Sequence, residues 1–318
     1  MMYKRIIAII TIFIMVGILS GCGNKQTSNV ENKTSNVNSS NAKKINIIVS
    51  FNPLREFAEA IGKDKVNVST IISNGIEPHD FEPKAKDLQN INNGDIFVYN
   101  GLGMEPWAEK TLKNIDNKNL IVVEASKGCN VIKNSHEEES NKQNEEHSHG
   151  EYDPHTWLSL KEAKIQSNNI KEALIKADPS NKTYYEQNYK EFSAKLDSLY
   201  DEYKQKLDKV SNKHFVTGHA AFAYICRDFN LKQNSIEDVF AEGEPSAKKL
   251  KELVEYCKKN NVKTIFVEEN VSPKVSETLA KEIGAKVEEI YTVENKEDNK
   301  DYIQSMKENL EKIYNSLK

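Results

Sequence analysis

The sequence predicts an α/β protein of two βα lobes joined by one long rigid helix. Two observations carry that prediction. Short apolar runs alternate with amphipathic helical stretches, first before and then after a polar segment at 133–151. Between the two series, a single apolar stripe at steps of three and four persists through Tyr185, Tyr189, Phe192, Leu196, Leu199, Tyr203 and Leu207. Alternating strands and helices are the signature of βαβ units and parallel sheets, and a sustained 3.6-residue stripe is one face of a helix.

In the first series, 45–49 reads as a buried strand, 53–61 as a helix with Pro53 in its first turn, and 66–72 as a strand. A helix over 83–91, a strand over 95–99, a helix over 105–115 and a strand over 120–123 follow. The second series reads as strand 215–217, helix 220–229, strand 233–236, helix 245–258, strand 264–267, helix 273–283, strand 287–291 and a terminal helix from about Tyr302. Asp178, Pro179, Ser180 and Asn181 supply a helix stop and then cap-forming side chains for the start of the stripe-bearing helix. A coiled-coil dimer is one use of such a stripe. A helix that buries it within one chain, as a spine across both lobes, is the reading preferred here.

The first residues belong to targeting rather than to the fold. Lys4 and Arg5 precede an apolar run over 6–19, which has the charge and position of an export signal and is too short to span a bilayer comfortably. Leu19, Ser20, Gly21 and Cys22 resemble the lipobox of bacterial lipoproteins, which implies cleavage before Cys22 and a diacylglyceryl group on its sulfur. More than one acyl chain on one residue would anchor the protein stably. The expected organisation is a signal peptide at 1–21, a tether at 22–44, a first lobe at 45–180, a linking helix at 181–211 and a second lobe at 212–318.

Composition narrows the function classes. Residues 1–21 hold two of the 44 basic residues and no acidic ones, which leaves 42 against 48 and a net charge of −6 for the mature chain. A mildly acidic chain is a poor nucleic-acid binder. Of four cysteines, Cys129, Cys226 and Cys257 are odd in number and at no metal-ligand spacing. A Cys226–Cys257 disulfide and buried free thiols both remain open. Residues 23–44 lack the apolar side chains that could offset the entropy of ordering. The segment 133–151 reads as a disordered acidic loop in which His136, His147 and His149 form an auxiliary metal-gathering tract.

Three other histidines stand in turn-rich sequence at the edges of these elements: His79 after Glu77 and Pro78, His155 after Asp153 and Pro154, and His219 after Thr217 and Gly218. His79 and His219 follow expected strands and His155 opens the segment leading into Trp157; in open α/β sheets ligands lie beyond the carboxyl ends of the strands. Glu294, after the last expected strand, belongs to the same class. Two imidazoles from the first lobe, with an imidazole and a carboxylate from the second, would close a tetrahedron around a divalent ion in the cleft between the lobes. A closed donor set binds and does not catalyse, so no enzyme activity is expected.

At these residues the chain closely resembles the zinc-binding lipoproteins that act as solute receptors for bacterial ABC importers, a family that includes manganese receptors. The motifs are Gly75 to Pro83 around His79, Val98 to Trp107, Asp153-Pro-His155-Thr-Trp-Leu, Thr217-Gly-His219-Ala-Ala-Phe, and Phe266-Val-Glu-Glu. The resemblance implies metal ligands at His79, His155, His219 and Glu294, Zn²⁺ as cargo, a permease and ATPase as partners, and a monomer anchored outside the cytoplasmic membrane. Imidazole at His219 favours zinc, where manganese receptors place a carboxylate, although copper and nickel could compete. Glu268 is expected to orient a ligand imidazole, Trp107 and Trp157 to pack beside the cleft, and His214 to be a strand-edge residue. A manganese receptor, an anchored adhesin and a zinc hydrolase with an open metal position are the rival readings.

Overall fold

The computed structural model describes residues 43–134, 150–240, 245–268, 273–297 and 299–318. Cys22, the export signal, the tether up to residue 42, and His136, His147 and His149 lie outside the described residues.

The first lobe runs β1 (Ile45–Val49), α1 (Asn52–Gly62), β2 (Val66–Thr70), α2 (Ala85–Asn92), β3 (Ile96–Tyr99), α3 (Ala108–Lys113) and β4 (Ile121–Glu124). α4 (Leu160–Ala177) and α5 (Lys182–Leu207) follow. The second lobe runs β5 (His214–Thr217), α6 (Ala223–Phe229), β6 (Lys232–Ser235), α7 (Ala247–Lys259), β7 (Thr264–Val267), α8 (Pro273–Ile283), β8 (Lys286–Glu289) and α9 (Tyr302–Ser316).

Each lobe carries a four-stranded parallel sheet, ordered β2-β1-β3-β4 in the first and β6-β5-β7-β8 in the second. Burial follows position in the sheet. The inner strands β1, β3, β5 and β7 are almost entirely buried, whereas the outer strands β2, β6 and β8 alternate or expose most of their side chains. Helices covering both faces of a parallel sheet require continuous apolar runs in its centre, and the polar sequences Lys-Gln-Asn-Ser and Lys-Val-Glu-Glu suit edges.

Several boundaries differ from the sequence prediction. The helix expected at 220–229 starts at Ala223 and that expected at 105–115 spans Ala108–Lys113, because the residues ahead of each form turns that carry site residues. The strand expected at 287–291 ends at Glu289, so Ile290 and Tyr291 are buried beyond its last ladder position. The helix α4 was given no bounds by the sequence, although the helix stop at Asp178 and Pro179 falls at its end. Its buried face includes Glu162, Gln166 and Ser167 beside Ala163, Ile170 and Leu174, so polar residues interrupt the apolar stripe. Ser159 caps its start, its hydroxyl accepting from the N–H groups of Lys161 and Glu162 at 3.2 and 3.1 Å.

α5 buries Tyr185, Phe192, Leu196, Leu199, Tyr203 and Leu207 as the stripe predicts. Tyr189 is only half-buried; Asn188 takes the inward position and its amide donates to the Ile61 carbonyl at 2.8 Å. α5 packs on α1 and α4 of the first lobe and on α6 and α9 of the second. One apolar core therefore runs from β1 and β3 through α5 to Phe215, Tyr302, Met306 and Leu310, while a smaller one lies around Val216, Leu253, Ile265 and Leu279. Each fully buried leucine or phenylalanine along the spine contributes about 1.5–3 kcal/mol. Cys129, Cys226 and Cys257 are free thiols, which settles the open choice against a Cys226–Cys257 bond.

Candidate metal centre

The four residues singled out above come together. His79 lies in the loop after β2, His155 directly before a short 3-10 turn (Thr156–Leu158), His219 between β5 and α6, and Glu294 in the loop after β8. One ligand atom from each lies within 4.8 Å of all the others. His155 Nε2 is 3.3 Å from His79 Nε2, 3.4 Å from His219 Nε2 and 3.8 Å from Glu294 Oε1. A tetrahedron with metal–nitrogen bonds of about 2.0–2.1 Å has edges of about 3.3–3.4 Å. The two imidazole separations have that length.

Turns rather than helices or strands present these rings, and each turn is held. Asp153 Oδ1 accepts from the His155 backbone N–H at 2.9 Å and from its Nδ1 at 2.8 Å. A carboxylate can only accept, so Nδ1 carries the proton and the Nε2 lone pair points at the other imidazoles. Asn100, fully buried after β3, donates to the Pro154 carbonyl at 2.9 Å and accepts from Gln166 at 2.8 Å. Glu105 in turn accepts from the Asn100 and Gly101 N–H groups at 2.8 and 3.0 Å and from the Ser50 hydroxyl at 2.5 Å. Gly101 sits at φ +87°, and a Cβ there would fall 2.6 Å from a Glu124 carboxylate oxygen. The Asn100 corner therefore needs glycine.

Around His219, the Thr217 hydroxyl and Gln233 amide both donate to its carbonyl, at 2.6 and 2.9 Å. Glu268 lies beside it, accepting from the His219 backbone N–H at 3.3 Å, with Nδ1 3.8 Å away. The shorter of these contacts is to the backbone; 3.8 Å exceeds hydrogen-bond length. Trp157 is buried beside the cleft, and its indole N–H also donates to the Thr292 carbonyl at 2.8 Å. Trp107 packs on Phe81 and Phe97, and His214 opens β5 with its Nδ1 2.8 Å from the Tyr256 hydroxyl.

Electrostatics match the geometry. Burial, reinforced by the neighbouring His155 ring, holds His79 well below the usual imidazole range. Burial, then the His155 and His79 rings, does the same for His219. Neutral imidazoles with converging lone pairs and one adjacent carboxylate form a donor set for a borderline divalent cation. With four donor atoms within 4.8 Å of one another, the arrangement can bind a divalent ion.

Sequence reasoning did not identify Asp153 as the group that orients His155, although an acid two residues before a candidate ligand was visible in the Asp-Pro-His motif. It also did not single out Asn52, Asn100 or Asn295, whose partners are distant in the chain.

A family model for the periplasmic component A of zinc-uptake complexes matches residues 47–316. The high-affinity zinc uptake system protein ZnuA of Bacillus subtilis is 39% identical over 323 residues, covering 99% of each chain. Among solved structures, the laminin-binding protein of Streptococcus agalactiae, described as bifunctional with adhesin and metal-transporting activity, superposes with a TM-score of 0.77 at 36% identity, covering 86% of this chain and all of the other. The Zn(II)-bound ZnuA-like domain of Streptococcus pneumoniae AdcA superposes with a TM-score of 0.73 at 34% identity, covering 86% of this chain and 99% of that domain. The chain belongs to the family of periplasmic zinc-uptake complex component A proteins.

Proposed function

We propose that this protein is an extracytoplasmic receptor that captures Zn²⁺ and delivers it to an ABC-type importer, with His79, His155, His219 and Glu294 as the ligands. The observation that carries the reading is the convergence of three imidazoles and a carboxylate within 4.8 Å of one another, with His155 Nε2 at tetrahedral edge length from both His79 Nε2 and His219 Nε2. Zinc takes imidazole and carboxylate donors in tetrahedral sites, whereas manganese prefers oxygen. Family membership supports transport over catalysis, and the closed donor set supports it again: the ion is cargo and the protein is not an enzyme. Glu268 steadies the His219 turn through its backbone.

No helix among the described residues is long and apolar enough to cross a membrane. The lipobox-like sequence supports attachment outside the cytoplasmic membrane through lipid on Cys22, with the permease and ATPase of the importer as partners of a monomeric receptor. His136, His147 and His149 act as an auxiliary tract that gathers metal.

Calorimetry on residues 22–318 tests the assignment. One Zn²⁺ binds tightly, deletion of 135–149 leaves that binding intact, and His79→Ala, His155→Ala or His219→Ala each weakens it severely. Tight binding that survives the three histidine changes but disappears with the deletion would refute the ligand set. A second reading, surface adhesion, is favoured by likeness to the Streptococcus agalactiae protein. It predicts saturable laminin binding that persists in the His219→Ala variant, and absence of laminin binding removes it.

A further inference from the structure

The loop that carries Glu294 belongs to the second lobe in sequence, yet the first lobe holds it. Asn52, buried in the first turn of α1, donates from its side-chain amide to the Asn295 carbonyl at 2.9 Å and to the Val293 carbonyl at 3.4 Å. Arg55 fixes that amide by donating to its oxygen at 2.8 Å. The Trp157 indole holds the Thr292 carbonyl at 2.8 Å, and Tyr302 ties back to the Trp157 carbonyl at 2.5 Å. On the other side, Asn295 Oδ1 accepts from the Gly75 N–H at 2.7 Å, and the Lys296 N–H donates to Asn74 Oδ1 at 3.3 Å. Gly75 and Asn74 lie in the same loop as His79, between β2 and α2.

Backbone conformation marks the same place. Gly75 stands at φ +79°, a left-handed geometry that glycine adopts freely and that aims its N–H at Asn295. Val293, immediately before Glu294, stands at φ +62°. A β-branched side chain is a genuine outlier there and persists only where its surroundings over-determine it. The hydrogen bonds on Thr292, Val293 and Asn295 are those surroundings.

We propose that Asn52 and Asn295 are positioning residues that lock the Glu294 loop to the first lobe and to the His79 loop, so that the carboxylate and the His79 imidazole close on the ion as one unit. Neither touches the four candidate ligand atoms; Asn52 acts through the strained backbone at Val293, and Asn295 through Gly75. The inference rests on Glu294 being a ligand, and a double-mutant cycle separates the two claims.

The variants are Asn52→Ala and Asn295→Ala, each alone and combined with Glu294→Ala, with Zn²⁺ affinity read by chelator competition and dissociation by stopped flow. Asn295→Ala leaves α1 untouched, so it decides the matter if Asn52→Ala does not fold. Removing one such hydrogen-bond node should weaken Zn²⁺ binding about tenfold, mostly through faster dissociation, and should have no further effect once Glu294 is alanine. An equal loss in both backgrounds, or no loss in the otherwise unchanged protein, overturns the positioning role. Unchanged affinity in Glu294→Ala alone instead refutes the ligand assignment.

Discussion

Asp153 and His155 are locked together by two hydrogen bonds to a single carboxylate oxygen, 2.9 Å from the backbone N–H of His155 and 2.8 Å from its Nδ1, with both side chains buried. This pair fixes both the tautomer and the plane of the imidazole from which distances to His79, His219 and Glu294 are all short. Because the Asp153 carbonyl also accepts from the Tyr224 hydroxyl of α6 at 2.6 Å, the turn is braced by the second lobe as well as by its own lobe.

Loss of the Asp153 carboxylate should therefore lower metal affinity without removing a ligand. Outer partners of ligating histidines are typically worth about 10–100-fold in affinity, and Asp153→Ala should fall in that range by chelator competition. An affinity equal to that of the unchanged protein would mean that His155 is oriented by something else.

If His219 is the third ligand, its imidazole should set the preference among metals. His219→Asp replaces nitrogen by oxygen in a site whose other imidazoles stay, which favours harder cations. The ratio of Zn²⁺ to Mn²⁺ affinity should drop by at least about tenfold, the direction dictated by ligand hardness. Measuring both affinities by competition with the same chelator checks it, and a ratio that does not fall would disconnect His219 from selectivity.

Stability should depend on pH through the same rings. Burial lowers His79 and His219 from 6.5, so below that pH the unfolded chain takes up protons that the folded chain resists. Their contribution is thus present above about 6.5 and lost as pH falls towards the depressed folded values. Thermal melts of metal-free protein should show a falling midpoint from pH 6.5 downward, and His79→Asn with His219→Asn should flatten that fall. A slope unaffected by both changes would assign the pH dependence to other groups.

Much of this site was legible in the sequence because Pro and Gly neighbours mark the turns of His79, His155 and His219, and His79 and His219 follow expected strands. The central strands were legible for a related reason, since burial on both faces leaves unbroken apolar runs such as Thr264–Val267. α4 was harder to read because Glu162, Gln166 and Ser167, which make hydrogen bonds or ion pairs on its inward face, interrupt the apolar period of Leu160, Ala163, Ile170 and Leu174. The Tyr189 position was misread because Tyr and Asn188 compete for one face, and the Ile61 carbonyl selects the amide. Asn52 and Asn295 are more than two hundred positions apart in the chain, and no local pattern announces that they meet.

The Glu105 carboxylate shows how deep the support for the site goes. Burial raises it from 4.5 to about 7, although three donors from Ser50, Asn100 and Gly101 work in the opposite direction. Glu105→Gln would turn an amide N–H₂ towards a backbone N–H, leaving a buried donor unsatisfied at a cost of about 1–3 kcal/mol. Urea titration should register that loss, and zinc affinity should fall with it because the Asn100 corner carries Pro154. Stability and affinity both unchanged would show that the corner is held elsewhere.

The claim that four side chains from two lobes share one ion is tested most directly by zinc-edge anomalous scattering from crystals of protein purified without added metal and then given one equivalent of Zn²⁺. The account predicts a single strong peak bounded by His79 Nε2, His155 Nε2, His219 Nε2 and a Glu294 oxygen, with bonds of about 2.0–2.2 Å. A strongest peak outside that cleft, or one in it touched by fewer than three of these side chains, would contradict it.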